Sequence, residues 1–375
     1  MVFPLGLFPT DNPILGNPLV SIAIFYGPLA LLIIYGQRIQ AWMILNDVSR
    51  SVGKLKLMKE KGRKEAVEFV TGGSNAKVDE FAPRIDQFLE YFTIMPVDMD
   101  PSGVVGKIEH IMTTRDDRMK AEIRKLVPDA DPVRASVIEN LIEAASALNF
   151  IYKVVRHFYL IGKKTSSMFI LAQLQMIMPM VLLEADALTG AIDAFKKAQP
   201  LGDGIGPMVV GRLMLDDEKK EVARETVYSQ TELKGRKVYL LTAKGPAGNV
   251  GQPGNGIQKM VEELDIKPNA IIMIDAALKL EGEKTGEIAE GIGAAIGGIG
   301  VDRFKIEEVA SRHGIPLYAI VIKQSIVDAI SVMRKEVAEA GDKTREVMER
   351  IIEEKTKEGD KIIIVGVGNS LGVAQ

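Results

Sequence analysis

The sequence predicts an α/β protein: a three-layer sandwich on a mostly parallel sheet, preceded by a transmembrane helix and an all-α domain. Three observations predict it. Leu19 to Tyr35 is an apolar run without a charge. Residues from about 45 to 200 carry helical spacing and few strand patterns. From Lys237 onward short apolar runs alternate with helical stretches, the order of βα units in a parallel sheet. The expected domains are a membrane anchor over 1–45, a helical domain over 46–200 and an α/β domain over 201–375.

Composition removes several classes of function. The 375 residues suffice for two or three domains. At 47% hydrophobic and 26% charged, the chain is too apolar for disorder and too charged to be wholly embedded in lipid. A net charge of −3 argues against a nucleic-acid partner. The absence of cysteine excludes disulfides, thiolate nucleophiles and cysteine-ligated metals. The three histidines, His110, His157 and His313, have no metal-pair spacing.

The apolar run reads LVSIAIFYGPLALLIIY and extends for about 25 Å as a helix. With Ile14 to Pro18 it reaches the ~30 Å core of a bilayer. Only Asp11 is charged before it, whereas Arg38, Arg50, Lys54, Lys56 and further basic residues follow. The positive-inside rule then predicts a single pass through the cell membrane over residues 15–35, with the N-terminus outside and the bulk of the chain cytoplasmic. A signal peptide would carry its basic residues before the apolar run. Tyr35 and Trp42 suit interfacial anchors.

In the middle region, Val78, Phe81, Ile85, Phe88, Leu89 and Phe92 fall near helical spacing within Lys77–Phe92. Asp98 to Ser102 is a break. Asp131 and Pro132 are placed as N-cap and first residue of a helix that runs on through Val137–Phe158. Met168 to Leu183 is Met-rich and uncharged. With Gln173 and Gln175 inside, it is short and polar for a span, so a core or interface helix is expected. The helical domain would be the site of any homo-oligomer.

In the last region, strands are expected at Val238–Thr242, Ala270–Ile274, Pro316–Ile322 and from Lys361. Helices are expected at Ile257–Leu264, Ser325–Met333 and Glu336–Lys357, with a Gly/Pro/Asn loop over 245–256. The run Ile271–Ile274 reads as a buried strand that delivers Asp275 at its C-terminal edge, where open α/β sheets place their sites. A second acid, Asp203, stands among the glycines of Gly202-Asp203-Gly204-Ile205-Gly206-Pro207. Two carboxylates forced together cannot both ionise cheaply, so one keeps a proton while the other can draw a proton from water. The same pair could hold a divalent metal. The plainer readings make Asp203 a self-satisfied turn residue and Asp275 a helix cap. Gly366-Val-Gly368-Asn369 lacks the helix that a dinucleotide loop needs, and the 245–256 loop lacks the Lys-Ser/Thr of a P-loop.

Beyond the residues themselves, Gly245 to Val332 resembles the spore germination protease family of atypical aspartic peptidases. The resemblance rests on Asn249-Val-Gly251-Gln252-Pro-Gly254, Ile274-Asp275-Ala276-Ala277-Leu278, Gly297 to Arg303, and Gly314-Ile-Pro316 through Asp328-Ala329. The Asp203 turn is similar to the acidic turn of that family and of the hydrogenase maturation endopeptidases. In those families a strand ending G-x-G-N leads into the acidic turn. Here that pattern is found in the last strand, Ile362 to Asn369, which implies a circular permutation. The whole chain looks like a membrane-anchored archaeal protein family.

The resemblance implies Asp203 and Asp275 as the catalytic pair of a peptidase, acting on a peptide or protein substrate without a resident cofactor. Asn249, Gly251, Gln252 and Gly254 would line the substrate groove, with Gly368 and Asn369 supporting the pair. The expected function is a membrane-anchored, aspartate-dependent hydrolase. The alternatives are a non-catalytic scaffold of the same fold or a phosphate- or nucleotide-binding module.

Overall fold

A computed structural model describes residues 18–72, 75–96, 103–298 and 300–375. Residues 15–17 of the expected span and the expected break at 98–102 lie outside them. The N-terminal region, about 22–198, is all-α, and an α/β domain follows.

Among the described residues the first region holds five helices: α1 (Pro18–Thr71), α2 (Asn75–Leu89), α3 (Val104–Leu126), α4 (Pro132–Thr165) and α5 (Met168–Lys196). The first is a single helix of 54 residues that carries both the apolar run and the basic stretch, and it passes position 45 without a break. In α2, Ile85 and Leu89 are buried as the periodicity requires, while Phe92 lies past the helix end and is 75% exposed. The start of α4 is as the sequence indicates: the Arg134 amide donates to Asp131 Oδ1 at 3.0 Å, with Pro132 opening the helix. The chain divides into two compact units, one of residues up to Lys54 with Tyr152–Val181, the other of Leu55–Ile151 with Leu182–Gln375.

The Met-rich segment is not a core helix. It opens the 29-residue α5, which buries Leu171, Leu174 and Met178 along one face and exposes Phe169, Met176 and Met180 on the other. Among the described residues, α5 is long and apolar enough to cross a membrane, and only 22% of its apolar window is buried.

The α/β domain is built on seven strands: β1 (Lys220–Ala223), β2 (Thr226–Leu233), β3 (Arg236–Ala243), β4 (Ala270–Leu278), β5 (Ile288–Ile292), β6 (Leu317–Gln324) and β7 (Lys361–Gly366). Their order across the sheet is β1-β2-β3-β7-β4-β6-β5. The four central strands are parallel and the flanking pairings antiparallel. The central strands read as unbroken apolar runs because both their faces are covered. Leu240, Ile272, Ile274 and Ile364 pack under α6 (Ile205–Met214) and α10 (Lys335–Lys355). Their neighbours Leu241, Ile271, Met273 and Ile363 pack under α7 (Pro253–Glu262) and α8 (Val301–His313). A short α9 (Ile326–Ile330) follows β6, capped by reciprocal bonds between Ser325 and Asp328.

Two parts of the sheet differ from the sequence reading. β1 and β2 form an antiparallel extension on β3, ahead of the first expected strand. β5 is an antiparallel edge strand in a stretch for which no element was expected, and its Glu290 pairs with Arg350 of α10. Each is a short or half-polar strand, whose weak alternation resembles a loop or a solvated helix face.

Candidate active site

β4 continues beyond the end of its neighbour. β7 pairs with it as far as Ile274↔Gly366, and the chain of β7 then turns away, with the Val367 amide donating to Ile274 O at 2.9 Å. Asp275 is the first residue of β4 past that point, so it faces the crevice that opens at the C-terminal ends of parallel strands. It is 7% exposed. No helix follows β4, so Asp275 is not a helix cap. The Ala276 amide donates to its Oδ1 at 2.7 Å.

Asp203 lies in a 3-10 turn, Gly202–Gly204, just before α6. The turn is held from three strands. Gln324 Nε2, at the end of β6, donates to Gly202 O at 2.9 Å. The Asn369 amide, beyond β7, donates to Asp203 Oδ2 at 2.9 Å. Gly206 sits so close to the end of β4 that an added Cβ would meet Ile274 O at 2.4 Å. Asp203 therefore satisfies a distant amide and is not closed on its own turn.

Both aspartates line one cleft of 420 Å³. Its walls include Gly251, Gln252 and Asn255, the Ile296–Gly298 loop, Asp302 and Gly368, and Glu109, Met112, Thr113 and Asp116 of α3. Burial, and then the charge of Asp203, push the Asp275 carboxyl up to about 8; amide bonds from Ala276 and Gly297 offset part of this. Burial also raises Asp203, against the pull of the Asn369 amide. The two carboxyls thus form a coupled pair that holds a proton near neutrality.

The other expected residues divide. Gly251, at φ +69°, and Gln252 stand in the cleft wall, and the Gln252 amide donates to Thr226 Oγ1 at 2.6 Å. Gly254 lies beneath the wall, its amide bonded to Asp302 Oδ1 at 2.8 Å. Asn249 does not line this cleft. Its side chain turns back and donates to Lys244 O at 2.8 Å, and it borders a neighbouring cavity of 360 Å³. Gly368, at φ +130°, borders Asp203, and a Cβ there would lie 2.0 Å from Asp203 O. Asn369 supports the pair through its backbone, while its side chain accepts from the Leu371 amide. His313 is the last residue of α8. Among the described residues, no group of three or more His, Cys, Asp or Glu side chains is arranged to hold a metal ion.

The sequence reading missed the contribution of α3. Glu109 reaches across to Lys305 of α8 at 2.6 Å and accepts from Asn255 of α7 at 3.0 Å. Burial pushes the Glu109 carboxyl up, but these two bonds outweigh it and hold it low. Glu109→Ala removes the carboxylate partner of the mostly buried Lys305, which keeps only Asn255 Oδ1, and a loss of about 1–3 kcal/mol is expected. Urea unfolding of both single variants and of Glu109→Ala with Lys305→Met tests it: the double variant should recover part of the loss.

Next to the cleft, α4 contributes Glu139, which borders the neighbouring cavity with Lys120 and Glu225. Burial raises its carboxyl from 4.5 to about 7, against the charge of Lys120. The folded form therefore holds this proton after the unfolded chain has lost it, so stability falls as pH rises between those two values. Glu139→Gln should match the parent's thermal midpoint near pH 4 and exceed it near pH 8. Equal midpoints at both values would show that the carboxyl is solvated.

Residues 22–198 match the N-terminal domain of a protein of unknown function (DUF1512), and residues 201–374 match the domain of unknown function (DUF1512) C-terminal. No curated protein and no solved structure matches the chain. The two halves of one family thus follow each other along the chain in order, and the chain belongs to that family as a DUF1512 protein with an α/β C-terminal domain.

Proposed function

We propose that the protein is a membrane-anchored hydrolase that cleaves an amide bond of a peptide or protein with the Asp203–Asp275 pair. The observation that carries this reading is the coupling of two buried carboxyls in one cleft, with Asp275 raised to about 8. The charge on Asp203 keeps the proton on Asp275. A water between them loses a proton to Asp203 as it attacks the carbonyl carbon, while Asp275 donates its proton to the carbonyl oxygen. The tetrahedral diol then collapses: Asp203 gives the proton it took to the leaving amine nitrogen, the C–N bond breaks, and one diol hydroxyl returns a proton to Asp275 as the carboxylic acid forms.

The N-termini of α7 and α8 border the same cleft through Pro253 and Val301, and their dipoles favour negative charge within it. The bond from the Asn369 amide to Asp203 supports the permuted arrangement, since the strand ending in Gly-Val-Gly-Asn reaches the acidic turn in space. Five carboxylates line the cleft, which disfavours the phosphate-binding reading.

In this reading the anchor is the apolar run within residues 15–35, and the cleft faces the cytoplasm. The experiment is peptide turnover by the full chain in detergent or discs as a function of pH. The kcat/KM profile should have an alkaline limb near 8, where the pair loses its last proton. No turnover of any peptide in a mixed library would leave the scaffold alternative.

A further inference from the structure

One compact unit contains the N-terminal half of α1 together with a helical hairpin, the end of α4 from Tyr152 and the start of α5 to Val181. The hairpin turns at Ser166 and Ser167. The Ser167 amide donates to Gly162 O, and Leu171 packs directly on Gly162. By composition α5 alone could cross a bilayer. Connectivity opposes this. A hairpin leg crosses only if its partner does, and the α4 leg carries Lys153, Arg156, Lys163 and Lys164. Such charges at the centre of a bilayer are costly.

The register of the helices gives the hairpin tip a depth. Gln175 of α5 bonds Asp47 of α1 at 3.1 Å, and further along Lys196 bonds Glu65, so α5 and α1 run parallel. Met168 then lies about 10 Å back from Gln175, level with residue 40 of α1. There the apolar run has just given way to Arg38. At this level Trp42 is 66%, Phe169 71% and Leu160 44% exposed. Lys163 and Lys164 are exposed in the last turn of α4. An exposed apolar rim with two lysines at its tip is the composition of an interfacial membrane contact.

We infer that the α4–α5 hairpin tip is a second membrane contact, which rests at headgroup depth on an anionic bilayer surface and does not span it. The inference uses the anchor reading of α1 and is independent of the hydrolase reading.

The cysteine-free chain allows a direct test. Single cysteines at Ile24, Leu160, Phe169, Met176 and, as an aqueous control, Glu346 would carry a nitroxide in the full chain. The chain would be placed in nanodiscs of phosphatidylcholine with or without phosphatidylglycerol. Accessibility to oxygen and to a water-soluble nickel complex reports depth. The expected result is lipid contact at 160 and 169 with phosphatidylglycerol present, and water at 176 as at 346. Lys163→Glu with Lys164→Glu should abolish the dependence on phosphatidylglycerol.

Immersion at 24 with water at 160 and 169 would overturn the inference alone. Water at 24 as well would overturn the anchor with it. Immersion at 176 equal to that at 24 would show a spanning hairpin. Dipolar coupling between labels at 169 on two copies would show that a second chain covers the tip. Either of these also overturns the inference.

Discussion

Asp275→Asn is expected to abolish peptide turnover, by roughly 10²- to 10⁴-fold, and at the same time to make the protein more stable above pH 4. The two effects have one cause. Burial and the Asp203 charge hold the Asp275 carboxyl protonated to about 8 in the folded state. In the unfolded chain it ionises near 3.9. Between those values the unfolded state binds fewer protons than the folded one, so the native state loses up to about 1.4 kcal/mol per pH unit. Asparagine has no proton to lose and keeps the oxygen that accepts the Ala276 amide. The expected gain is a few kcal/mol near pH 8 and vanishes near pH 4. Calorimetry at both pH values, with turnover on the same samples, checks it. Undiminished turnover would remove the mechanism. Equal stability at both values would mean that Asp275 is ionised in the fold. Asp203→Asn should lose activity to the same degree, since the two acids act as a unit.

Gly206→Ala should be among the most damaging small substitutions in the domain, at a cost of about 3 kcal/mol or more. Its missing side chain is what lets α6 meet the sheet. A Cβ at this position would stand 2.3 Å from Val367 O, 2.4 Å from Ile274 O and 2.8 Å from the Val367 amide. All three are backbone atoms at the ends of the two central strands, so no rotamer change relieves the clash. Gly341, where α10 passes α6, offers a matched control. A Cβ there would meet only side-chain carbons, none nearer than 3.5 Å, so Gly341→Ala should be tolerated or mildly stabilising. Urea unfolding of both variants is the measurement. Comparable stability of Gly206→Ala and the parent would show that the turn can relax away from the sheet.

What could be read in the sequence follows from burial. β3, β4, β6 and β7 were legible because burial on both faces leaves runs such as Ile271–Ile274 unbroken. β5 was not, because at the sheet edge its Glu290 and the 89% exposed Ile292 spoil the alternation. Asp203 and Asp275 stand far apart in the chain. Periodicity located each beside its turn or strand, while their common cleft was suggested only by the resemblance of the motifs. The α3 wall left no trace, since Glu109 reads as one more acid on a solvated helix until Lys305 is placed opposite. Asn249 shows what the sequence leaves open: the loop was named, but nothing in the pattern says that this side chain turns back to Lys244 O.

The position of β7 also governs how the domain is made. It is the strand between β3 and β4, yet Thr242 and its partner Gly366 are 124 residues apart. At about 5–20 residues per second, a ribosome leaves β3 without its inner neighbour for several seconds to tens of seconds. First β3 and then also β4 present open edges until β7 is made, a template for mispairing with other nascent chains. The hairpin of β1 and β2 protects only the far side of β3. Slow translation, or crowding of nascent chains, should therefore lower the yield of folded protein through aggregation before release. Coupling to a chaperone that holds unpaired strands should restore it.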